Sequence, residues 1–193
     1  MEIDQAELLK TVASFFEQNH IPYMLTGALS VVYYGRPRAS HDIDFVVEIP
    51  KKDTDRVLHL LARFPHEFSF QPEAVAQAIA SKSMFTMLHM PTMLKLDFWL
   101  LQDEAFDQTR FRRKNRVTLL GQIMNITSAE DTILQKLRWY KEAKIEKHVV
   151  DAAFVYQIQK KELNTSYLTS WAKKLAVTKF LKQLGKIDLE KYL

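Results

Sequence analysis

The stretch Tyr23–Pro50, YMLTGALSVVYYGRPRASHDIDFVVEIP, decides how this chain is read. A glycine follows a short apolar run, and two aspartates then alternate inside a second apolar run. In a strand, residues i and i+2 share a face. Asp42 and Asp44 therefore project together, while Ile43 and Phe45 point into a core. Neighbouring carboxylates repel each other, and a charge in an apolar strand is costly unless something satisfies it. A divalent cation removes the conflict. Mg²⁺ takes hard oxygen ligands, commonly one or two carboxylates plus substrate phosphates. The plain alternative is a pair of edge-strand charges facing water.

A third acid sits in the apolar run MLKLDFWL. Asp97 lies between Leu96 and Phe98, with Lys95 and Trp99 on its own face. Three acids from two strands could hold two metals for an in-line displacement at phosphorus. Gly27 has its own logic. A glycine between a strand and a helix lets the backbone approach a ligand closely, and the helix start offers N–H groups to phosphate. Thr26 and Ser30 could add hydroxyl contacts. Arg36 and Arg38 could neutralise phosphate charge or serve only as surface charges.

Composition bounds the rest. The 193 residues, 47% of them apolar, are enough for one domain or two small packed ones with a real core. The absence of cysteine excludes disulfides and thiolate metal sites and suits a reducing cytoplasm. No apolar run approaches the roughly 18 residues of a membrane span, and MEIDQAELLK is unlike a secretory signal. The expected location is cytoplasmic, with no membrane partner. Net charge is +4 and the pI about 9.1. RFRRKNR, Arg110 to Arg116, sets five positive charges in seven residues. Lys173, Lys174, Lys179, Lys182 and Lys186 enrich the end. Such clusters attract phosphates or nucleic acid, or form a solvated face.

Periodicity predicts a helix over 4–19, a strand over 21–26, a helix over 27–34 and a strand over 41–49. Further helices are expected at 53–64 and 73–81. Strand-like runs at 84–90 and 93–101 should be antiparallel neighbours, and 116–120 with 122–126 should form a hairpin around Gly121. From Ser128 no strand signal remains. Helices are expected from SAEDTILQKLRWYKEA onward, then near 145–160, 164–175 and 177–184. The expected fold is α+β: a mixed sheet with flanking helices over 1–127, followed by a C-terminal helical bundle over 128–193.

A strand, a glycine that the family follows with Gly or Ser, a short spacer and two acids alternating with apolar residues resemble the signature of the DNA polymerase β nucleotidyltransferase superfamily. Here Gly27-Ala28 is followed by 13 residues, Leu29 to His41, and then DIDF. TGALSVVYYGRPRASHDIDFVV is similar to small prokaryotic nucleotidyltransferase-like proteins related to the AbiEii toxin group. The resemblance implies transfer of a nucleoside monophosphate from an NTP to a hydroxyl, with Mg²⁺ or Mn²⁺ as cofactor. Asp42, Asp44 and Asp97 would hold metal and act in catalysis. Gly27, Ala28, Ser30, Arg38 and Lys136 would bind nucleotide phosphates, and Asp151 would support the site. Toxin-like relatives suggest a tRNA 3′ end or a protein hydroxyl as acceptor, and a cognate antitoxin as partner. An antibiotic is the small-molecule alternative.

Ala28 departs from the usual Ser or Gly, and its side chain offers no hydroxyl to phosphate. A catalytically silent nucleotide- or partner-binding module is therefore the competing reading. Asp151, in KHVVDAAFVYQI, should be buried. Its alternative role is an ion pair with Lys136, Arg138 or His148. His41 is expected to point away from Asp42, on the opposite strand face. Trp99, Trp139 and Trp171 are expected in the core, Trp99 with the reservation that it shares a face with Asp97.

Overall fold

The computed structural model describes residues 5–36, 38–40 and 42–192. His41, expected to face away from Asp42, lies outside the described residues. The chain divides into two compact units. One comprises residues 1–28 and 40–126. The other comprises 29–39 and 127–193, so a segment far away in sequence joins the C-terminal helices.

The first unit is built on a mixed sheet. Its strands are β1 (Tyr23–Leu25), β2 (Asp42–Val47), β3 (Phe68–Ser69), β4 (Met84–His89), β5 (Leu94–Leu100), β6 (Asn115–Leu119) and β7 (Gln122–Ile126). They lie in the order β3-β4-β5-β2-β1-β7-β6. β2 runs parallel to β5, and β1 parallel to β7; the other neighbours are antiparallel. The alternation read from the sequence sorts one face of the central strands. Ile43, Phe45, Leu96, Phe98, Phe85 and Met87 are buried. Helix α1 (Gln5–Gln18) contributes Phe16, whose ring meets Phe45 at 5.5 Å and Phe98 at 5.7 Å. Phe45 and Phe98 stack at 5.3 Å. Full burial of each such side chain contributes about 1.5–3 kcal/mol. This aromatic layer fixes which sheet face is core, and so commits the aspartates to the other.

Helix α2 (Gly27–Tyr34) follows β1; α3 (Thr54–Leu61) and α4 (Pro72–Ser81) fall between β2 and β4. Helix α5 (Ala105–Arg112) has no counterpart in the periodicity reading. It lacks an apolar stripe. Phe106 and Phe111 are its buried apolar residues, and Arg110 Nε reaches Asp107 Oδ1 at 2.8 Å, which lets both charges be buried beside them. Two-residue β3 is likewise too short to leave a pattern.

The β6–β7 connection is a two-residue turn. Leu120 and Gly121 have φ of +53° and +79°, the pairing of positive angles that suits a hairpin's twist and favours Asn-Gly. Leucine is poor at positive φ, and Leu120 is about half exposed. Leu120→Asn is expected to raise unfolding stability by about 1 kcal/mol, read as a shift in the urea midpoint.

His89 ends β4 fully buried. Its Nδ1 lies 2.8 Å from Thr92 Oγ1, while Nε2 is buried with no hydrogen-bond partner. Burial pushes its pKa below the usual histidine value. The folded state therefore takes up its proton later than the unfolded chain. Stability should begin to fall as pH drops below about 6.5. A His89→Gln variant should flatten that limb of a stability–pH profile.

The second unit is helical. It contains α6 (Ala129–Ala143), α7 (Glu146–Ile158), α8 (Thr165–Lys174) and α9 (Thr178–Leu181). Ser128 caps α6: its Oγ accepts from the Asp131 backbone N–H at 3.1 Å and donates to Asp131 Oδ2 at 2.8 Å. Asp131 Oδ1 accepts from the Tyr167 hydroxyl at 2.6 Å, joining α8 to that cap. A fully buried acid is thus satisfied from two elements. Among the described residues, no helix is long and apolar enough to cross a membrane.

Candidate active site

β2 and β5 are in parallel register, and that register places the acids. Asp44 stands directly beside Asp97, and Asp42 beside Lys95. Because alternate residues share a face, Asp42, Asp44 and Asp97 all project from the face opposite the aromatic layer. Asp42 is exposed at the strand start, while Asp44 and Asp97 are half-buried. Both inner carboxylates are held by neighbours on the sheet. Thr86 Oγ1 donates to Asp97 Oδ1 at 2.6 Å. The Trp99 indole Nε1 lies 3.5 Å from Asp44 Oδ1. Such bonds fix the orientation of the two carboxylates.

Gly27 closes the other side of Asp44. Its φ is +63°, and a Cβ there would fall 1.9 Å from Asp44 Oδ2. The residue must be glycine for two separate reasons, conformation and space. Thr26 N–H also donates to the Asp44 carbonyl at 3.0 Å. The turn into α2 is thus packed directly against the carboxylate at the centre of the face. Gly27→Ala is expected to lower stability by about 1–2 kcal/mol and to displace Asp44. Chemical denaturation checks the first effect, and a shifted Asp44 side-chain resonance the second.

The donor set suits a hard cation. Asp44 and Asp97 supply adjacent carboxylate oxygens, and Asp42 a third, exposed one. Among the described residues, no three acid or histidine side chains are already gathered around one point. Mg²⁺ fits such a site, since it is usually bound through one or two carboxylates with waters and substrate phosphates completing its shell.

The other sequence-predicted residues fall as follows. Ala28 is buried in the first turn of α2, without a hydroxyl. Ser30 is buried in the same helix. Arg38 and Lys136 belong to the second unit, where both meet Asp151. Asp151 is fully buried on α7. Its Oδ1 accepts from Arg36 Nη1 at 2.7 Å, and its Oδ2 lies 3.1 Å from Arg38 Nη2 and 3.0 Å from Lys136 Nζ. Of the three partners weighed from sequence, Lys136 is therefore one. His148, three residues before Asp151, leaves its buried Nδ1 without a hydrogen-bond partner. Arg138 lies 3.6 Å from Glu142. Nothing in local spacing links residue 36 to 151, so the pairing of the two GRPRASHD arginines with Asp151 is a finding of the structure alone. Burial alone would push the Asp151 carboxyl up, but Lys136 with the two arginines outweighs it and holds the pKa below the usual value.

Two expectations are corrected. Trp99 is not core: it is 46% exposed on the carboxylate face. RFRRKNR is not a five-charge patch. Arg110 is buried against Asp107, and Lys114 folds over the Phe111 ring at 4.1 Å. Arg112 and Arg116 are the exposed cations of the run.

No family model matches the chain, and no curated protein matches it. Solved structures do. The solution structure of the antibiotic-resistance factor ANT(2'')-Ia superposes with a TM-score of 0.57 at 14% identity, covering 89% of this chain and 91% of that one. An antigenic nucleotidyltransferase-like protein from Paracoccidioides brasiliensis gives 0.56 at 15%, covering 92% and 91%. The lincosamide antibiotic adenylyltransferase LnuA, lincomycin-bound, gives 0.53 at 18%, covering 82% and 99%. This chain therefore has the nucleotidyltransferase fold, an α+β arrangement of a mixed sheet and flanking helices.

Proposed function

We propose that the protein is a metal-dependent nucleotidyltransferase that moves a nucleoside monophosphate from an NTP to a hydroxyl acceptor. The observation that carries this reading is the in-register pair Asp44–Asp97 on the open sheet face, with the Gly27 turn packed against Asp44. Asp42, Asp44 and Asp97 are the proposed ligands of Mg²⁺ or Mn²⁺. The metal would supply charge neutralisation at the phosphates and would lower the pKa of the attacking hydroxyl.

The chain's own groups do the rest. The Gly27 and Ala28 backbone receives triphosphate oxygens at the start of α2. Ser30, Arg38 and Lys136 keep the phosphate-binding role that the resemblance implies, and Asp151 holds Arg38 and Lys136. The acceptor oxygen forms a bond to the α-phosphorus as the bond from that phosphorus to the β-phosphate bridging oxygen breaks. Asp97 helps to deprotonate the hydroxyl, as base or as metal ligand, and pyrophosphate leaves with the electron pair. Rate enhancement comes from positioning and electrostatic stabilisation.

Three of the superposed structures carry antibiotic-modifying names or ligands: the two ANT(2'')-Ia structures, one with adenylyl-2''-tobramycin, and LnuA with lincomycin. These names support small-molecule hydroxyls as one candidate acceptor class. The AbiEii-like reading adds a tRNA 3′ end or a protein hydroxyl, and a cognate antitoxin as partner. The exposed Arg112 and Arg116 support RNA less strongly than the full run would. Ala28 favours a second reading, a silent module that binds nucleotide and transfers nothing. Incubation with each α-labelled NTP, Mg²⁺ and three acceptor pools (total tRNA, cell protein, and tobramycin with lincomycin) tests the proposal. Label entering one pool, with pyrophosphate released, is expected. Nucleotide binding with no transfer to any pool would give the silent module instead.

A further inference from the structure

Trp99 meets Asp44 through its indole edge, but its exposed ring face has no part in the metal and nucleotide contacts proposed above. Tryptophan is a large apolar side chain whose exposure leaves much surface in water. Here 46% of it is open, in a chain that buries Phe45, Phe85 and Phe98 on the opposite side of the same strands. Met84, its register partner on β4, is also exposed, at 37%. The two make a continuous apolar shelf. It lies two residues along β5 from Asp97, or roughly 7 Å, and its indole edge points at Asp44 Oδ1.

Charge on the same face narrows what could rest there. Apart from the three aspartates, which the metal would neutralise, strands β4 and β5 contribute Met84, Thr86, Leu88, Lys95 and Trp99. None is acidic, and Lys95 is an exposed cation on the far side of Asp97. A polycationic acceptor would need further carboxylates around it. A flat ring has what it needs in the indole face.

We propose that Trp99, backed by Met84, is the acceptor platform: it stacks a planar ring that the acceptor carries within about 7 Å of its reacting hydroxyl, and the subsite takes a neutral or anionic molecule rather than a polycation. This rests on the nucleotidyltransferase reading above. A hydroxyl held over Asp97 then has the ring on one side and Lys95 on the other. Lys95 is placed to meet an anionic group, and Trp99 determines which acceptors are held.

The test uses the full chain with a non-hydrolysable ATP analogue and Mg²⁺ at saturation. Adenosine 5′-monophosphate is the planar anionic probe and kanamycin the polycation. Each is titrated while the Trp99 indole N–H resonance is followed, assigned by its absence in Trp99→Phe. The phosphate probe is expected to shift that resonance and kanamycin to leave it in place. Affinity is read by calorimetry in wild type and both variants, since the variants lack the indole, and Trp99→Leu should weaken the phosphate probe tenfold or more. Trp99→Phe, which keeps a ring but loses the N–H toward Asp44, should stay within threefold of wild type. A resonance moved by neither probe, or by kanamycin alone, overturns the proposal, as does a Trp99→Phe loss equal to that of Trp99→Leu. The Gly27 amide separates the two levels. If the analogue shifts it and Trp99 stays silent, the platform fails alone. If the analogue does not bind, the nucleotidyltransferase reading fails and the platform with it.

Discussion

Asp44→Asn is expected to reduce nucleotidyl transfer by about a thousandfold or more while leaving the fold intact. The substitution keeps shape and removes one negative charge. Asp44 is half-buried at the centre of the open face, between Gly27 and Asp97. The asparagine amide still fits beside Gly27, so stability should change little. What is lost is an anionic oxygen for the cation, and with it the charge neutralisation that holds the triphosphate. Initial rates of pyrophosphate release, compared at matched stability from urea denaturation, separate this from misfolding. Asp97→Asn should match it. A rate within tenfold of wild type in either variant would remove that carboxylate from the site.

Asp151→Asn is expected to destabilise the helical unit by about 3–5 kcal/mol. Asp151 is fully buried and accepts from Arg36, Arg38 and Lys136. Neutralising it leaves three cations close together with no counter-charge among those contacts, the costly way to break a buried ion pair. The same contacts tie the segment after α2 to α6 and α7. Amide exchange should therefore rise first at residues 36, 38 and 39. Linkage gives a second signature. The folded-state pKa of Asp151 is lowered, so its stabilisation is present above about pH 3.9, the unfolded value, and is lost as pH falls through the folded one. The variant should lack this acid limb. A denaturation midpoint unchanged by Asp151→Asn would show that the cluster contributes little.

The sequence showed most where one short segment carried both fold and chemistry. The alternation in DIDFVV and MLKLDFWL told which side chains face the aromatic core, and so which face the acids share. The Gly121 turn and the Ser128 cap were equally readable, since each is a local backbone requirement. The facts that register alone decides were hidden. That Asp44 stands beside Asp97, rather than one pair further along, comes from β2–β5 pairing across some fifty residues of chain. The embrace of Asp151 by Arg36 and Arg38 spans still more, and no spacing rule reaches it. Helix α5 was missed because its buried charges, Asp107 and Arg110, satisfy each other and erase the apolar stripe. Residue type alone points Trp99 to the core, while its position in the alternation, on the face of Asp97, points it outward, where it is found.

Calorimetric titration of each NTP into the protein, with Mg²⁺ and then with excess chelator, reads the metal-dependent nucleotide site itself. Asp44→Asn is run under the same conditions. At least one NTP is expected to bind with Mg²⁺, with an affinity that falls tenfold or more both with chelator and in the variant. Binding that ignores both the metal and Asp44, or no binding of any NTP, would contradict the proposed function.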